Sequence, residues 1–383
     1  MQRAYFDHNA TTPVAPEVLE TVVSCLGQTY GNASSIHYFG QAAKQRLEMA
    51  RRQVAALIHA SPAELIFTSG GTESDNMALL GLARKAPGGC HVITTAIEHP
   101  AVLAACAQLE REGCIATLLP VGSNGVADPG DVRRALRPET ALISVMHANN
   151  ELGTIQPIAE ISRVAREAGV PFHVDGVQAL GKIPVDVKAL GVDLYSMSAH
   201  KLYAPKGVGA LYVRKGMRLA PLTFGGHHER DRRPGTENVP GIAGFGAAAA
   251  LAARDFTTEA VRTAQLRDRL ERAVVERIPD TRVNGARDSR TGNTTNICFD
   301  GIDGEALVIA LDLRGFAVST GSACSSGAVT PSHVLTAIGL SAERARSSIR
   351  FSLGSSNTAD QVDGLIEALE ASVKHLRRIS VHA

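Results

Sequence analysis

The chain has 383 residues, 44% hydrophobic and only 4% aromatic with no Trp, so a large core must be packed mainly by aliphatic side chains. A formal net charge of +1 offers no electrostatic footprint for nucleic acid or an anionic membrane surface. No apolar run approaches the length that spans a bilayer and the N-terminus has no secretory pattern, so a cytoplasmic protein is expected.

Residues 1–14 read as extended and end at Pro13. Helical spacing follows over Ala15 to Gln28 and Ala42 to His59, separated by a polar loop. In that loop Asn32 follows a glycine and fits either a turn or a substrate-orienting amide. A short strand, Glu64 to Thr68, runs into Ser69-Gly-Gly-Thr72 and a helix reaching Lys85. Strand, glycine turn and helix N-terminus make an anion site, with the Thr72 hydroxyl as an extra donor; ordinary capping by Thr72 fits the same residues. The stretch is neither a P-loop nor a dinucleotide fingerprint.

Strands at His91 to Thr95, Ile115 to Pro120, Ala141 to His147 and Pro171 to Asp175 then alternate with helices at Pro100 to Glu112, Asp128 to Leu136 and Ile158 to Gly169. Further strands end at Ser198 and span Val208 to Val213. This alternation predicts an α/β fold with a mostly parallel sheet covered by helices on both faces. Thr72, His99, Asn150 and Asp175 fall at strand ends, and Lys201 follows the next one, where open α/β sheets hold ligands.

Lys201 is the residue on which the chemistry turns. If desolvated, its amine has a lowered pKa and can form a Schiff base with an aldehyde cofactor; if solvated, it is one lysine of a basic loop. Ser198 and His200 stand at alternate positions, so they point the same way and could hold a phosphate. Asp175 ends a hydrophobic strand, which is costly unless a cation such as a pyridinium pairs with it, or unless it caps the segment that follows.

Beyond a charged loop, Gly225 to Asn238, two helices are expected at Val239 to Asp255 and Thr258 to Glu276. The pattern then changes to strands at Thr295 to Phe299, Ala317 to Ser319 and Ser348 to Leu353, with helices between and after them. A large domain over 15–251 and a smaller α+β domain made of 1–14 and 252–383 are therefore expected. Alternation on the last strand sets Arg350 opposite Ile349 and Phe351, so it either faces the crevice, able to fork onto a carboxylate, or lies on the surface.

None of the six cysteines forms a C-x-x-C pair, so no metal site is expected. Disulfides are not expected in a large cytoplasmic chain, and Cys25, Cys90, Cys106, Cys114 and Cys298 read as small apolar fillers. Cys324 differs, because it lies in a polar segment of small residues, Ser319 to Thr330, where a thiol is accessible.

The chain resembles, over almost its whole length, the cysteine desulfurases of the NifS/IscS type, pyridoxal-phosphate (PLP) enzymes of fold type I. The pieces that carry the resemblance are Tyr5-Phe-Asp-His-Asn-Ala-Thr-Thr-Pro13, Phe67-Thr-Ser-Gly-Gly-Thr-Glu-Ser74, Asn149-Asn-Glu-Leu-Gly153 and His173-Val-Asp-Gly-Val-Gln178. To these add Ser198-Ala-His-Lys201, Arg233-Pro-Gly-Thr-Glu-Asn238, Gly321-Ser-Ala-Cys-Ser325 and Ile349-Arg-Phe-Ser352. The resemblance implies that Lys201 carries the cofactor and shuttles protons, Asp175 pairs with the pyridine nitrogen and His99 stacks on the ring. Asn150 and Gln178 would serve the ring hydroxyl side. Gly71, Thr72, Ser198 and His200 would hold the phosphate, with Thr236 reaching that of a second subunit in a homodimer. Arg350, Asn32 and Asn150 would orient the carboxylate of L-cysteine. Cys324 would take the sulfur as a persulfide and pass it to an acceptor protein such as an iron–sulfur scaffold.

Overall fold

The computed structural model describes residues 3–86, 90–321 and 330–380. A short strand, β1 (Ala4–Tyr5), precedes helices α1 (Pro16–Gln28) and α2 (Tyr38–Leu57). The alternating part follows as β2 (Leu65–Thr68), α3 (Gly71–Ala83), β3 (His91–Thr95), α4 (Pro100–Arg111), β4 (Ile115–Leu119), α5 (Pro129–Ala135) and β5 (Thr140–Met146). It continues through α6 (Ile158–Ala168), β6 (Phe172–Asp175), α7 (Val187–Leu190), β7 (Leu194–Ser198) and β8 (Gly209–Val213). After α8 (Val239–Arg277) come β9 (Thr281–Val283), β10 (Thr294–Phe299), α9 (Gly304–Asp312), β11 (Phe316–Ala317), α10 (His333–Ala337), α11 (Ala342–Arg346), β12 (Ser348–Ser352) and α12 (Ala359–Ser380).

The large sheet has seven strands in the order β2-β8-β7-β6-β5-β3-β4, parallel except where β8 runs against β2 and β7. Strands β5 to β8 are buried almost throughout, as a sheet covered on both faces requires. Helix α6 illustrates why the cover forms: Ile158, Ile161, Val164 and Ala165 make one buried stripe, and Gly169 in the left-handed region ends it. A second, antiparallel sheet has the order β12-β10-β9, and β1 pairs with β11. Its own core includes Phe6, Leu270, Phe299, Leu307, Phe351 and Leu365, separate from the main core of Val54, Phe67, Val145, Phe172 and Phe245. Among the described residues no helix is long and apolar enough to cross a membrane.

Two sequence expectations are corrected. The helices expected at 239–255 and 258–276 are one helix of 39 residues, α8. Thr257 and Thr258 are weak helix formers, but packing of the flanking Ala-rich turns overrides that local preference. The expectation of no disulfide fails for Cys90 and Cys114, which are joined in one while packing half-buried against the core. They immediately precede β3 and β4, whose parallel register pairs His91 with Ile115, so the fold brings their Cα atoms to 4.6 Å. Cys25, Cys106 and Cys298 are free and buried, as expected.

The loop after β8 is tied down by a buried ion pair. Arg51 of α2 gives two hydrogen bonds to Glu229, of 2.7 and 2.8 Å, and Glu229 also accepts the Phe67 N–H at 2.9 Å. Glu229, Arg230 and Asp231 all have positive φ, a conformation that non-glycine residues adopt only when their surroundings enforce it. Removing one partner of a buried pair costs about 3–5 kcal/mol. Glu229→Ala is therefore expected to lose roughly that much stability in urea unfolding and to expose the 225–238 loop to proteolysis. A loss below about 1 kcal/mol would mean that the pair is not what holds the loop.

Candidate active site

The sheet's parallel strands end at one crevice. β6 delivers Asp175, β7 ends at Ser198 just before Lys201, β3 leads to His99, and β5 leads to Asn150. Asp175 is buried; its Oδ1 accepts the Val177 N–H at 3.0 Å, so it does cap the next segment. Burial raises its pKa, against the pull of His99, the Val177 N–H and Lys201. His99 caps α4, its Nδ1 accepting the Ala101 N–H at 3.1 Å, which leaves the proton of the neutral ring on Nε2. His99 is exposed on one side, yet the surrounding protein desolvates the ring enough to lower its pKa.

Lys201 is not a solvated loop lysine. Its Nζ donates to the Asn9 carbonyl at 2.6 Å and the Ala10 carbonyl at 2.7 Å. Burial, and next the Arg350 guanidinium, push its pKa down to about 8, while Asp7 and Asp175 pull the other way. A fraction of the amine is thus neutral near physiological pH, which both Schiff-base formation and proton abstraction require.

Beside it lies an anion cradle. The first N–H groups of α3 have no partner within the helix, and the Thr72 hydroxyl stands exposed above them. Gly71 is a close approach: a Cβ there would meet Val177 Cγ2 at 2.7 Å and Ser198 Cβ at 3.6 Å. Ser198 is buried, with no capping bond from its hydroxyl. His200 bonds Thr11 Oγ1 at 3.1 Å through Nδ1, and burial lowers its pKa to about 4, so it meets an anion as a neutral ring.

Arg350 is buried and turned into the crevice. Its Nη2 donates to Asp7 Oδ1 at 2.6 Å and its Nη1 to the Asn150 carbonyl at 3.1 Å, while Nε has no partner among the described residues. Asn150 therefore touches Arg350 through its backbone and keeps its side chain unbonded among the described residues. Gln178 donates from Nε2 to the Asn9 carbonyl at 2.9 Å. Asn32 forms a local turn, its Oδ1 accepting the Ser34 N–H at 2.9 Å in an exposed loop. Thr236 is exposed in the loop beyond Arg233, which pairs with Glu73 at 2.8 Å. Neither Asn32 nor Thr236 contacts Lys201 or Arg350. Cys324 lies outside the described residues; on the described side, the Ser319 and Arg350 backbones bond each other, and Ser332 Oγ donates to Glu151 at 2.6 Å.

A family model described as aminotransferase class-V matches residues 4–365. The chain belongs to that family. It is 49% identical over 380 residues to a cysteine desulfurase IscS of Dictyoglomus turgidum, with 99% of this chain and 96% of the relative covered. It is 48% identical to a cysteine desulfurase of Nostoc, covering 99% and 95%. A solved NifS-like protein superposes with a TM-score of 0.92 at 37% identity, covering 98% of this chain and all of the other. A solved structure of SspA in complex with cysteine superposes with a TM-score of 0.82 at 38% identity, covering 91% and 98%. Within the class-V family the chain stands with the cysteine desulfurases of the NifS/IscS type.

The class-V enzymes use PLP, and the residues present fit that group. A desolvated amine, a buried carboxylate, a neutral imidazole and a glycine-lined helix N-terminus with free hydroxyls supply each kind of partner its aldehyde, ring nitrogen, ring face and phosphate need.

Sequence reasoning missed several residues of this site. Asn9 is buried and bonds Lys201, Gln178, Asn150, Thr294, Asn293, Ser352 and Lys182. It stands in the N-terminal motif from Tyr5 to Pro13, but an extended segment does not reveal what it crosses. Glu98 is fully buried next to His99, with Oε1 accepting from Thr95 Oγ1 at 2.6 Å and Met146 N at 3.1 Å, and Oε2 without a partner.

Burial raises the Glu98 pKa from 4.5 to about 8. The folded chain keeps a proton there that the unfolded chain releases, so the contribution is complete below pH 4.5 and is lost as pH rises through about 8. Glu98→Gln, which cannot ionise, should therefore show a smaller fall in stability across that window than the parent in pH-dependent urea unfolding. Identical slopes would mean that Glu98 does not hold the proton.

Proposed function

We propose that this chain is a PLP-dependent cysteine desulfurase of the cytoplasm, converting L-cysteine to L-alanine and transferring the sulfur through a persulfide on Cys324. One observation carries the reading: Lys201, desolvated and with its pKa lowered to about 8, stands in one crevice with Asp175, His99 and the α3 cradle. The SspA relative, solved as a complex with cysteine, supports the substrate.

When bound, PLP supplies an electron sink for a negative charge developing at the substrate Cα. The α3 N-terminus at Gly71 and Thr72, with Ser198 and His200, would hold its phosphate. Asp175 would pair with the ring nitrogen, His99 would serve the ring, and Gln178 and Asn150 would serve the ring oxygen. Arg350, with Asn150 and Asn32, binds the substrate carboxylate. Lys201 takes the proton from Cα, its amine returning to the Asn9 and Ala10 carbonyls when free. The Cys324 thiolate attacks the substrate sulfur: an S–S bond forms, the C–S bond breaks, and the electron pair stays with the three-carbon skeleton, which takes up a proton at the former sulfur-bearing carbon and leaves as alanine. A sulfur-acceptor protein, such as an iron–sulfur scaffold, then takes the sulfur from Cys324.

The division into 15–251 and 1–14 with 252–383 is supported by the separate main clusters of the two sheets, while α8 runs through the boundary and a smaller cluster joins Ile97, Met146 and Leu152 to Val334, Leu335 and Ile338 across it. A homodimer completed by Thr236 of the second copy is supported by α1, where Leu19, Val23 and Leu26 share one face and are 53%, 59% and 63% exposed.

Purified protein should be yellow and, with L-cysteine and a reductant, release alanine and sulfide in equal amounts. Cys324→Ala should keep the colour and lose the sulfide, and Lys201→Ala should lose the visible Schiff-base band. Sulfide at the parent rate from Cys324→Ala would end the persulfide reading. For the dimer, Leu26→Glu is expected to shift the species to the monomer mass in light scattering; an unchanged dimer would remove α1 from the interface.

A further inference from the structure

Lys182 lies in the turn after β6, four residues beyond Gln178. Its Nζ donates to Asn9 Oδ1 at 2.9 Å and to Gln178 Oε1. No carboxylate pairs with it among the described residues. Burial, followed by Lys201 and Arg350, holds its pKa well below the usual lysine range. The side chain is half-buried, and desolvating an amine that has no carboxylate partner is costly, a cost an apolar side chain would avoid. What the lysine adds is hydrogen-bond donors at a fixed place.

Those donors decide how two amides are turned. An amide atom that accepts from an amine must be its oxygen, so the Gln178 atom beside Nζ is Oε1. The other end, Nε2, gives one hydrogen to the Asn9 carbonyl at 2.9 Å. Among the described residues nothing accepts the second, which stays available as a donor. Asn9 cannot adapt by turning over, because its Nδ2 is committed to the Asn150 carbonyl at 3.0 Å and Thr294 Oγ1 at 2.9 Å, and its Oδ1 also accepts from Asn293 at 3.0 Å.

We propose that Lys182 is a positioning residue that sets the Gln178 amide so that its remaining N–H, and not its oxygen, is offered to the ring oxygen of the cofactor. This rests on the reading of Gln178 as a cofactor-facing group. Without Lys182 only the Asn9 carbonyl, which accepts from Nε2, still opposes turning over; an amide that turns presents an acceptor to an oxygen that carries negative charge, losing a charge-assisted bond and adding a repulsion.

The test is a double-mutant cycle on PLP affinity, measured by absorbance titration of apo protein with PLP alone, no substrate present. Gln178→Ala and Lys182→Met are each expected to weaken PLP about tenfold, the size of one hydrogen bond to a charged group. The double variant should bind as Gln178→Ala does, because Lys182 acts through Gln178. A Lys182→Met protein that binds as tightly as the parent overturns the proposal, as does a double variant whose loss is the product of the two. Parent-like binding by Gln178→Ala instead removes the Gln178 reading itself, and Lys182 then has no amide to position. If Lys182→Met does not fold, Lys182→Gln, whose shorter side chain cannot span both acceptors, enters the same cycle with the same expected non-additivity.

Discussion

The structure depends on where Asp7 to Thr12 crosses the crevice. Phe6, just before this segment, is fully buried in the core of the smaller sheet, while Thr12 is bonded to His200 and Tyr203 behind Lys201. Between these anchors the Asn9 and Ala10 carbonyls face the Lys201 amine. A backbone carbonyl cannot ionise and is held in place by the chain, so it makes a steady acceptor for that amine. Asn9 adds a side chain whose every polar atom is used, which makes the crossing rigid rather than merely close.

Around that crossing, burial would suppress charge everywhere, and the arrangement decides which groups escape. His8, His147, His173 and His200 are pushed down to about 4 or below by burial and stay neutral. Glu98 and Asp75 are pushed up by burial, and among the described residues neither has an Arg or Lys within ion-pair distance. Asp175 also lies among these acids but has His99 and Lys201 near it, which favour its ionised form. A cationic ring nitrogen arriving at Asp175 would thus meet the one carboxyl of the three whose burial is offset in part by cationic neighbours.

The parts of this arrangement that follow from short-range pattern were legible in the sequence. Alternation placed Ile349 and Phe351 in the smaller core and Arg350 on the other side, and the strand–glycine–helix rhythm located the α3 cradle. What pattern left open at Lys201 was its degree of burial, since a polar turn reads the same whether or not another segment covers it. The covering segment lies 191–192 residues away in the chain, as its carbonyl contacts with Lys201 make plain. The same distance problem hid Asp7 behind Arg350 and Cys90 behind Cys114, because register between strands is a property of the assembled sheet. The break assumed within α8 had a different cause: local propensity was weighed where tertiary packing decides.

The crevice is also shared between two cores, and that bears on how Lys201 works. The lysine, Asp175 and His99 come from the large sheet, while Asn9 and Arg350 follow residues packed in the smaller one. Both contributions act on the same proton but with opposite sign. The carbonyls of Asn9 and Ala10 favour the charged amine, whereas the Arg350 guanidinium disfavours it. If the smaller unit shifts as one body, both weaken together, and the Lys201 proton affinity changes less than either term alone would dictate. Substrate binding breaks that symmetry. On the proposed reading, a carboxylate on Arg350 would offset the guanidinium's push without touching the carbonyls, and so would raise the proton affinity of Lys201 when its amine is to take a proton from Cα.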